Sequence, residues 1–197
     1  MPKTYCFIAE LIILIIVERP GRISPGLCTF DCLPHVVYIK NMINTSLCYI
    51  ENNGRWLMLH RVKKKQDLNE GKWVGVGGKF ENGETPEQCC TREAREETGF
   101  EITELNYRGI VDFVSNVWPE ELMHLFTAKY NGPDAESLPE CSEGVLEWVP
   151  IEKVNELALW EGDRIFLEII KKETPFFKLR LEYSGDRLVK SKILMNR

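Results

Sequence analysis

Between Thr85 and Gly99 the chain reads TPEQCCTREAREETG, a segment that carries both of its own helix ends and an excess of acid on one face. Thr85 is a natural N-cap, Pro86 suits the first helical position and Gln88 completes a capping box. Gly99 supplies the stop. The spacing therefore predicts a helix over 85–98. Within it Glu93, Glu96 and Glu97 stand at i, i+3 and i+4, which puts three carboxylates on one face. Two carboxylates 5–6 Å apart repel by roughly 3 kcal/mol at an effective dielectric near 20. Folding alone does not require that cost. A divalent cation removes it, because hard Mg²⁺ favours carboxylate oxygens together with substrate phosphates. The plain alternative is a solvated face laced with Arg92 and Arg95 pairs. What precedes the helix argues against that alternative. Gly75, Gly77 and Gly78 allow the backbone to approach a ligand closely, and Lys79 follows. These glycines form neither a G-x-G-x-x-G dinucleotide turn, since Phe80 holds the third place, nor a P-loop.

The rest of the chain bounds the fold. It has 197 residues, 44% hydrophobic and 28% charged, with a net charge of −5. That fits one globular domain with an appendage. It is a poor composition for stable nucleic-acid binding, which usually shows a basic patch. Seven cysteines, two of them adjacent, form no disulfide framework. They point to a reducing cytoplasm. Thr45–Glu51 and Arg55–Arg61 flank the hairpin signal Asn52-Asn53-Gly54. Trp73–Val76 is short and apolar, and strands are expected at Glu101–Val114, Leu122–Tyr130 and Val145–Val149. A helix is expected over Asp163–Lys172, with Ile165, Phe166, Ile169 and Ile170 as its core stripe. A second hairpin joins Phe176–Tyr183 to Arg187–Ile193. Strands and helices mix without a βαβ repeat, so the class is α+β.

Residues 1–41 stand apart. Tyr5–Val17 is apolar but shorter than the roughly 20 residues a membrane span needs, and no clear cleavage site marks it as a secretory signal. The favoured reading is an N-terminal extension upstream of a true start at Met42, with the domain covering 42–197. Cys28, Cys32 and His35 make only half a metal-ligand set.

Gly78, Glu84, Arg92, Glu93, Glu96, Glu97, Gly99 and Phe100 fall in register with G-x5-E-x7-R-E-U-x-E-E-x-G-U, where U is bulky and apolar. This pattern is the Nudix box, and from about residue 44 to 193 the chain resembles the Nudix hydrolases. Ala94 departs from the usual larger residue at the first U position, a change of packing rather than chemistry. The resemblance implies an α-β-α sandwich with a mixed sheet and an enzyme that hydrolyses a nucleoside diphosphate linked to another group. It implies Mg²⁺, or Mn²⁺, on Glu93, Glu96, Glu97 and the Gly77 carbonyl, with Arg92 orienting a glutamate and Glu84 pairing with the helix. Glu143 fits the place of a distant acidic ligand; its other reading is a turn carboxylate. Glu93 or Glu97 is the candidate general base.

Beyond the box the chain is most similar to the MutT group, which hydrolyses oxidised purine nucleoside triphosphates such as 8-oxo-dGTP and so cleans the nucleotide pool ahead of DNA repair. Residues 71–79 and the run Leu159-Trp160-Glu161-Gly162-Asp163 carry that similarity. It implies that Lys79 contacts the phosphates, that Trp160 packs on a base and that Asp163 binds its edge. Two departures weaken the match to 8-oxoguanine: Gly162 stands for an aspartate and Val74 for an asparagine. ADP-ribose, a dinucleoside polyphosphate and an RNA 5′ end are alternative substrates, among which Trp118, Trp148 and Trp160 do not choose without a pocket. A non-catalytic nucleotide sensor is a further alternative, which the intact glutamates oppose. Lys63–Lys65 either meet the phosphates or form a solvated loop. His35, His60 and His124 are scattered and receive no role. The expected partner is a small nucleotide, with no membrane and no set oligomeric state.

A protein beginning at Met42 is expected to melt cooperatively and to hydrolyse nucleotides as well as the full chain does. Thermal melts and turnover of both forms check this, and an unfolded or inactive short form would place Tyr5–Val17 in the core.

Overall fold

The computed structural model describes residues 42–63, 67–132 and 138–196. The apolar run Tyr5–Val17, the Cys28, Cys32 and His35 set, and Lys64 and Lys65 lie outside the described residues.

The first two strands, β1 (Ile43–Asn52) and β2 (Arg55–His60), form the expected hairpin, with Asn53 and Gly54 at positive φ in the turn. A short β3 (Trp73–Val74) follows, and then α1 (Pro86–Thr98). Both helix ends are built as the sequence requires: Thr85 and Gln88 exchange the two capping-box bonds, and Gly99 closes the helix in the left-handed conformation. Next come β4 (Thr103–Ser115), β5 (Glu121–Lys129) and β6 (Val145–Pro150). A 3₁₀ turn over Ile151–Glu156, not expected from the sequence, leads to α2 (Glu161–Lys171) and the second hairpin, β7 (Phe177–Ser184) and β8 (Arg187–Asn196). α2 starts two residues before the expected Asp163.

One mixed sheet runs in the order β3-β2-β1-β5-β4-β7-β8, with β6 on the other edge of β2. β1 pairs parallel with β5, and β4 pairs parallel with β7; the remaining pairs are antiparallel. β2 covers only the last part of β1, from Ile50 to Asn52. The edge of β1 then passes to the glycine-rich segment, through bridges Cys48↔Val76 and Thr45↔Lys79. That hand-over lays Gly75–Lys79 against the sheet, directly beside α1.

Strand residues alternate between two cores, as period 2 demands. Cys48, Ile50, Leu57, Leu59, Phe126 and Ala128 pack on the α1 side with Cys90 and Ala94. Tyr49, Trp56, Met58, Leu125, Leu179 and Leu181 pack on the other side under α2. The result is an α-β-α sandwich. α1 buries only small side chains, Cys89, Cys90, Ala94 and Thr98. α2 buries Phe166, Leu167 and Ile170. Ile165 and Ile169, placed in the core by the sequence stripe, are only half-buried against it, and Leu167 takes the central place. No helix among the described residues is long and apolar enough to cross a membrane.

Phe166 is fully buried and packs against Tyr49, ring centroids 6.3 Å apart. Phe166→Ala is expected to destabilise the domain by about 3–5 kcal/mol. Urea unfolding checks this, and a loss under about 1 kcal/mol would mean that α2 repacks freely over the sheet.

Candidate active site

The carboxylate face of α1 is organised by one guanidinium. Arg92 donates through Nε and NH2 to both oxygens of Glu84, at 2.7 and 2.9 Å. Its NH1 reaches Glu93 at 2.9 Å and Glu96 at 3.1 Å, and its NH2 also reaches the Lys79 carbonyl at 3.1 Å. This fork-on-fork geometry ties the loop before α1 to the helix. The same guanidinium holds the Glu84 carboxyl down to about 2, and the three acidic partners hold the Arg92 guanidinium above its ordinary range.

Glu97 is placed differently. The Gly77 N–H donates to its Oε2 at 3.0 Å, but burial pushes its pKa up to about 7, and the charges of Glu143 and Glu93 add to the rise. Burial also raises Glu93, against the pull of Arg92 and with a push from Glu96 and Glu143. Glycine is required where this loop passes. A Cβ on Gly77 would lie 1.9 Å from the Ser46 carbonyl oxygen, and one on Gly78 would lie 2.3 Å from Glu93 Oε1. At Gly77 the obstacle is backbone, so no side chain larger than hydrogen fits; at Gly78 a side chain would displace the Glu93 carboxyl from its place.

Glu143 comes from the loop before β6 and pairs with Arg61, which also grips Asp67 through Nε at 3.0 Å. The structure thus brings Glu143 to the α1 carboxylates although 46 residues separate it from Glu97 in the chain. The donor chemistry fits a divalent cation: carboxylates from two elements, with the charge of Glu143 raising the pKa of Glu93 and Glu97, beside a loop of backbone carbonyls. Among the described residues no three acidic, His or Cys side chains are grouped, as they stand, so as to hold a metal ion. Glu93 and Glu96 instead each give an oxygen to Arg92.

A cleft of about 780 Å³ opens from these carboxylates. Gly77, Lys79, Arg92, Glu93 and Glu143 line one part of it, and Trp160, Asp163 and Tyr183 another. Glu84, Glu96 and Glu97 are not among its lining residues, and Glu96 is 59% exposed. Trp160 immediately precedes α2 and is 9% exposed; its indole N–H donates to Asn69 Oδ1 at 2.9 Å, its ring meets Tyr183 edge-on at 5.6 Å, and Lys72 Nζ sits 4.9 Å over its face. Asp163 is 8% exposed, and burial pushes its carboxyl up to about 7 against the charges of Lys72 and Arg164. α2 begins at an N-cap Trp160 without a side-chain cap, so Asp163 does not cap the helix.

The chain belongs to the Nudix family. The NUDIX domain matches residues 40–168, which include the whole box and Trp160 and Asp163. Over 190 residues, 95% of this chain and 96% of its own length, a zebrafish (Danio rerio) oxidized purine nucleoside triphosphate hydrolase is 27% identical. The Nudix hydrolase YvcI of Bacillus subtilis is 28% identical over 70% of this chain and 82% of its own length. Among solved structures, a MutT protein from Bacillus halodurans superposes with a TM-score of 0.64 at 26% identity, over 78% of this chain and 98% of that one. The protein is therefore a Nudix hydrolase of MutT-like fold.

The other candidates are structural in their surroundings. Lys63 Nζ donates to the Cys141 carbonyl at 2.8 Å. His60 stacks on Trp73, centroids 4.4 Å apart. His124 sits between Tyr107 and Asn44. Trp148 stacks with Phe100 in the α1-side core, and Trp118 packs against the α2-side core. The departure at Gly162 has a local counterpart: its N–H donates to the Tyr183 hydroxyl at 2.7 Å, and a Cβ there would come within 2.7 Å of that oxygen. Val74 packs into the α1-side core. Sequence reasoning missed Arg61, Asn69 and Tyr183, because no spacing rule joins them to the box; only the fold brings them in.

A carboxyl whose folded pKa lies near 7, against an ordinary 4.5, holds its proton in the folded state and loses it in the unfolded one between those values. Glu97 therefore subtracts stability as pH rises through that window. In metal-free buffer Glu97→Gln is expected to raise the Tm more at pH 8 than at pH 5. Added Mg²⁺ at pH 8 is expected to raise the wild-type Tm and to raise the variant's less. Equal shifts at both pH values would remove Glu97 from the electrostatic cluster.

Proposed function

We propose that this Nudix hydrolase cleaves a phosphoanhydride of nucleoside triphosphates, releasing the nucleoside monophosphate and pyrophosphate, with oxidised purine nucleotides of the 8-oxo-dGTP kind as its preferred substrates. The observation that carries this reading is the cleft that joins Glu93 and Glu143 to Trp160 and the buried Asp163. One end suits a polyphosphate and the other a flat, hydrogen-bonding base. The name and full-length match of the zebrafish relative support the same reading.

Nudix hydrolases generally use divalent ions, and in this reading Glu93, Glu96, Glu97, Glu143 and the Gly77 carbonyl would hold Mg²⁺ or Mn²⁺. When bound, such an ion neutralises phosphate charge and eases ionisation of a water. The chain's own residues do the rest. Arg92 fixes Glu93 and Glu96 against the loop, so the carboxylates need little rearrangement at the moment of reaction. Lys79, exposed at the mouth of the cleft, meets the phosphate chain. Glu97, with its pKa near 7, is matched to the neutral range in which a general base works best. Glu93 shares the direction of the shift and is the alternative base.

Trp160 offers its indole to the base, with its ring held by Asn69 and Tyr183. Asp163, with a pKa near 7, can present a carboxyl O–H to a purine carbonyl or a carboxylate to ring N–H and amino groups. Guanine-type and adenine-type edges are both accommodated by that chemistry. The Nudix reaction in a reducing cytoplasm would serve nucleotide-pool sanitisation.

Asp163→Ala is expected to lower kcat/KM for 8-oxo-dGTP and 2-oxo-dATP by roughly ten- to a hundredfold, the effect of losing one buried hydrogen bond of about 1–3 kcal/mol. Pyrimidine triphosphates should change much less. A Mg²⁺ assay over oxidised and ordinary triphosphates, ADP-ribose, a dinucleoside polyphosphate and a capped RNA decides the class. Preference for one of the last three, or an equal loss across all bases, would overturn the oxidised-purine assignment.

A further inference from the structure

The floor of the cleft contains a polar group that the family motif does not use. β1, β5, β4 and β7 lie side by side, and in register Glu121 stands opposite Ile43 on one flank and Phe113 on the other, with Leu181 beyond Phe113. Ile43, Met123, Phe113 and Leu181 line the cleft, and so does Glu121. A carboxyl therefore sits among apolar neighbours on four strands, with the Thr45 hydroxyl beside it, where an ionised group is costly to bury. Burial raises its pKa; Lys79 and the Thr45 hydroxyl pull the other way, and Asp67 adds to the rise.

Thr45 is the second observation. It lies on β1 on the same face of the sheet, lines the cleft and is 8% exposed. Its Oγ1 is close enough to Glu121 to favour the charged carboxyl, yet it is buried without a well-formed hydrogen bond. Buried hydroxyls are normally satisfied, so such an orphan in a ligand cleft points to a bond completed by the ligand. Distance supports this. Glu121 and Leu181 are two strands apart, about 10 Å across the sheet. A Cβ on Gly162, next to Asp163, would come within 2.5 Å of Leu181 Cδ1, so the start of α2 lies over that residue. The half-buried Glu121 and the buried Asp163 thus stand at opposite sides of a floor that a nucleoside can span.

We propose that Glu121, with the Thr45 hydroxyl, is a specificity-determining contact of the cleft that accepts a hydrogen bond from a donor of the bound nucleotide, either a sugar hydroxyl or a base amino group. This rests on the nucleotide reading of the cleft and adds a second recognition point to Asp163. A site that hydrogen-bonds a donor rejects the analogue lacking it, because its own polar groups are left unpaired.

The test compares GTP with dGTP, which lacks the 2′-hydroxyl, and GTP with ITP, which lacks the 2-amino group, in wild type, Glu121→Leu, Glu121→Gln and Thr45→Val. The wild type is expected to prefer GTP in one of the two pairs. Glu121→Leu should shrink that preference roughly tenfold or more, mainly in KM, the scale of one lost hydrogen bond. Glu121→Gln, which keeps an acceptor oxygen, should restore most of it, and Thr45→Val should fall between. The pair that collapses identifies the donor. An equal change on all three nucleotides, or no change, overturns the inference while leaving the hydrolase reading intact. A wild type that hydrolyses 8-oxo-dGTP but none of the three overturns this inference alone, because its selectivity is then set by the oxidised ring; one that hydrolyses none of the four overturns the nucleoside triphosphate reading and this one with it.

Discussion

The guanidinium of Arg92 is the contact on which the rest of this site depends. It binds both oxygens of Glu84, one oxygen each of Glu93 and Glu96, and the carbonyl of Lys79. Each of these bonds is charge-assisted or made by a charged donor, and such bonds are about twice as strong as neutral ones. Together they offset the repulsion that three carboxylates on one helical face would otherwise impose. They also attach the loop to α1 through Glu84 and the Lys79 carbonyl. Glu97, outside the reach of this fork, is held by the Gly77 N–H instead.

That attachment is possible only because α1 lies close to the sheet. Its buried face consists of Cys89, Cys90, Ala94 and Thr98, all small. Ala94, the departure from the bulky residue of the Nudix pattern, is fully buried in this layer. Small side chains let two backbones approach, and the glycines at 77 and 78 remove the last obstacle on the loop side. α2 follows the opposite plan. Phe166, Leu167 and Ile170 hold it over the aromatic and aliphatic floor of the other core. The thin layer places the carboxylates; the thick layer leaves room beside α2 for a cleft.

Electrostatics in the cleft follow from this packing. Glu97 and Asp163 both titrate near neutrality, and burial is the first cause in each. Their neighbours differ. Glu97 has carboxylates near it, Glu143 and Glu93, and so suits cations. Asp163 has Lys72 and Arg164 near it, beside an indole, and so suits a polar edge on a flat ligand. One buried carboxyl type thus serves two chemistries through its surroundings.

Much of this was legible in the chain alone. The capping box, the Gly99 stop and both hairpins depend on residues within a few positions of one another, and local geometry reads them directly. The Nudix box is local in the same sense, so Glu84, Arg92, Glu93, Glu96 and Glu97 could be named from spacing. The stripe of α2 was read correctly for Phe166 and Ile170 but not for Ile165, Ile169 and Leu167, because periodicity marks a face while neighbouring strands decide which residue reaches the centre. What joins Glu143 to Glu97, Tyr183 to Gly162, and Glu121 to Thr45 was settled only by tertiary structure. These pairs are brought together by parallel strand pairing, by loops and by a helix laid over a sheet, and contacts across such chain distances leave no local spacing in the sequence to be read.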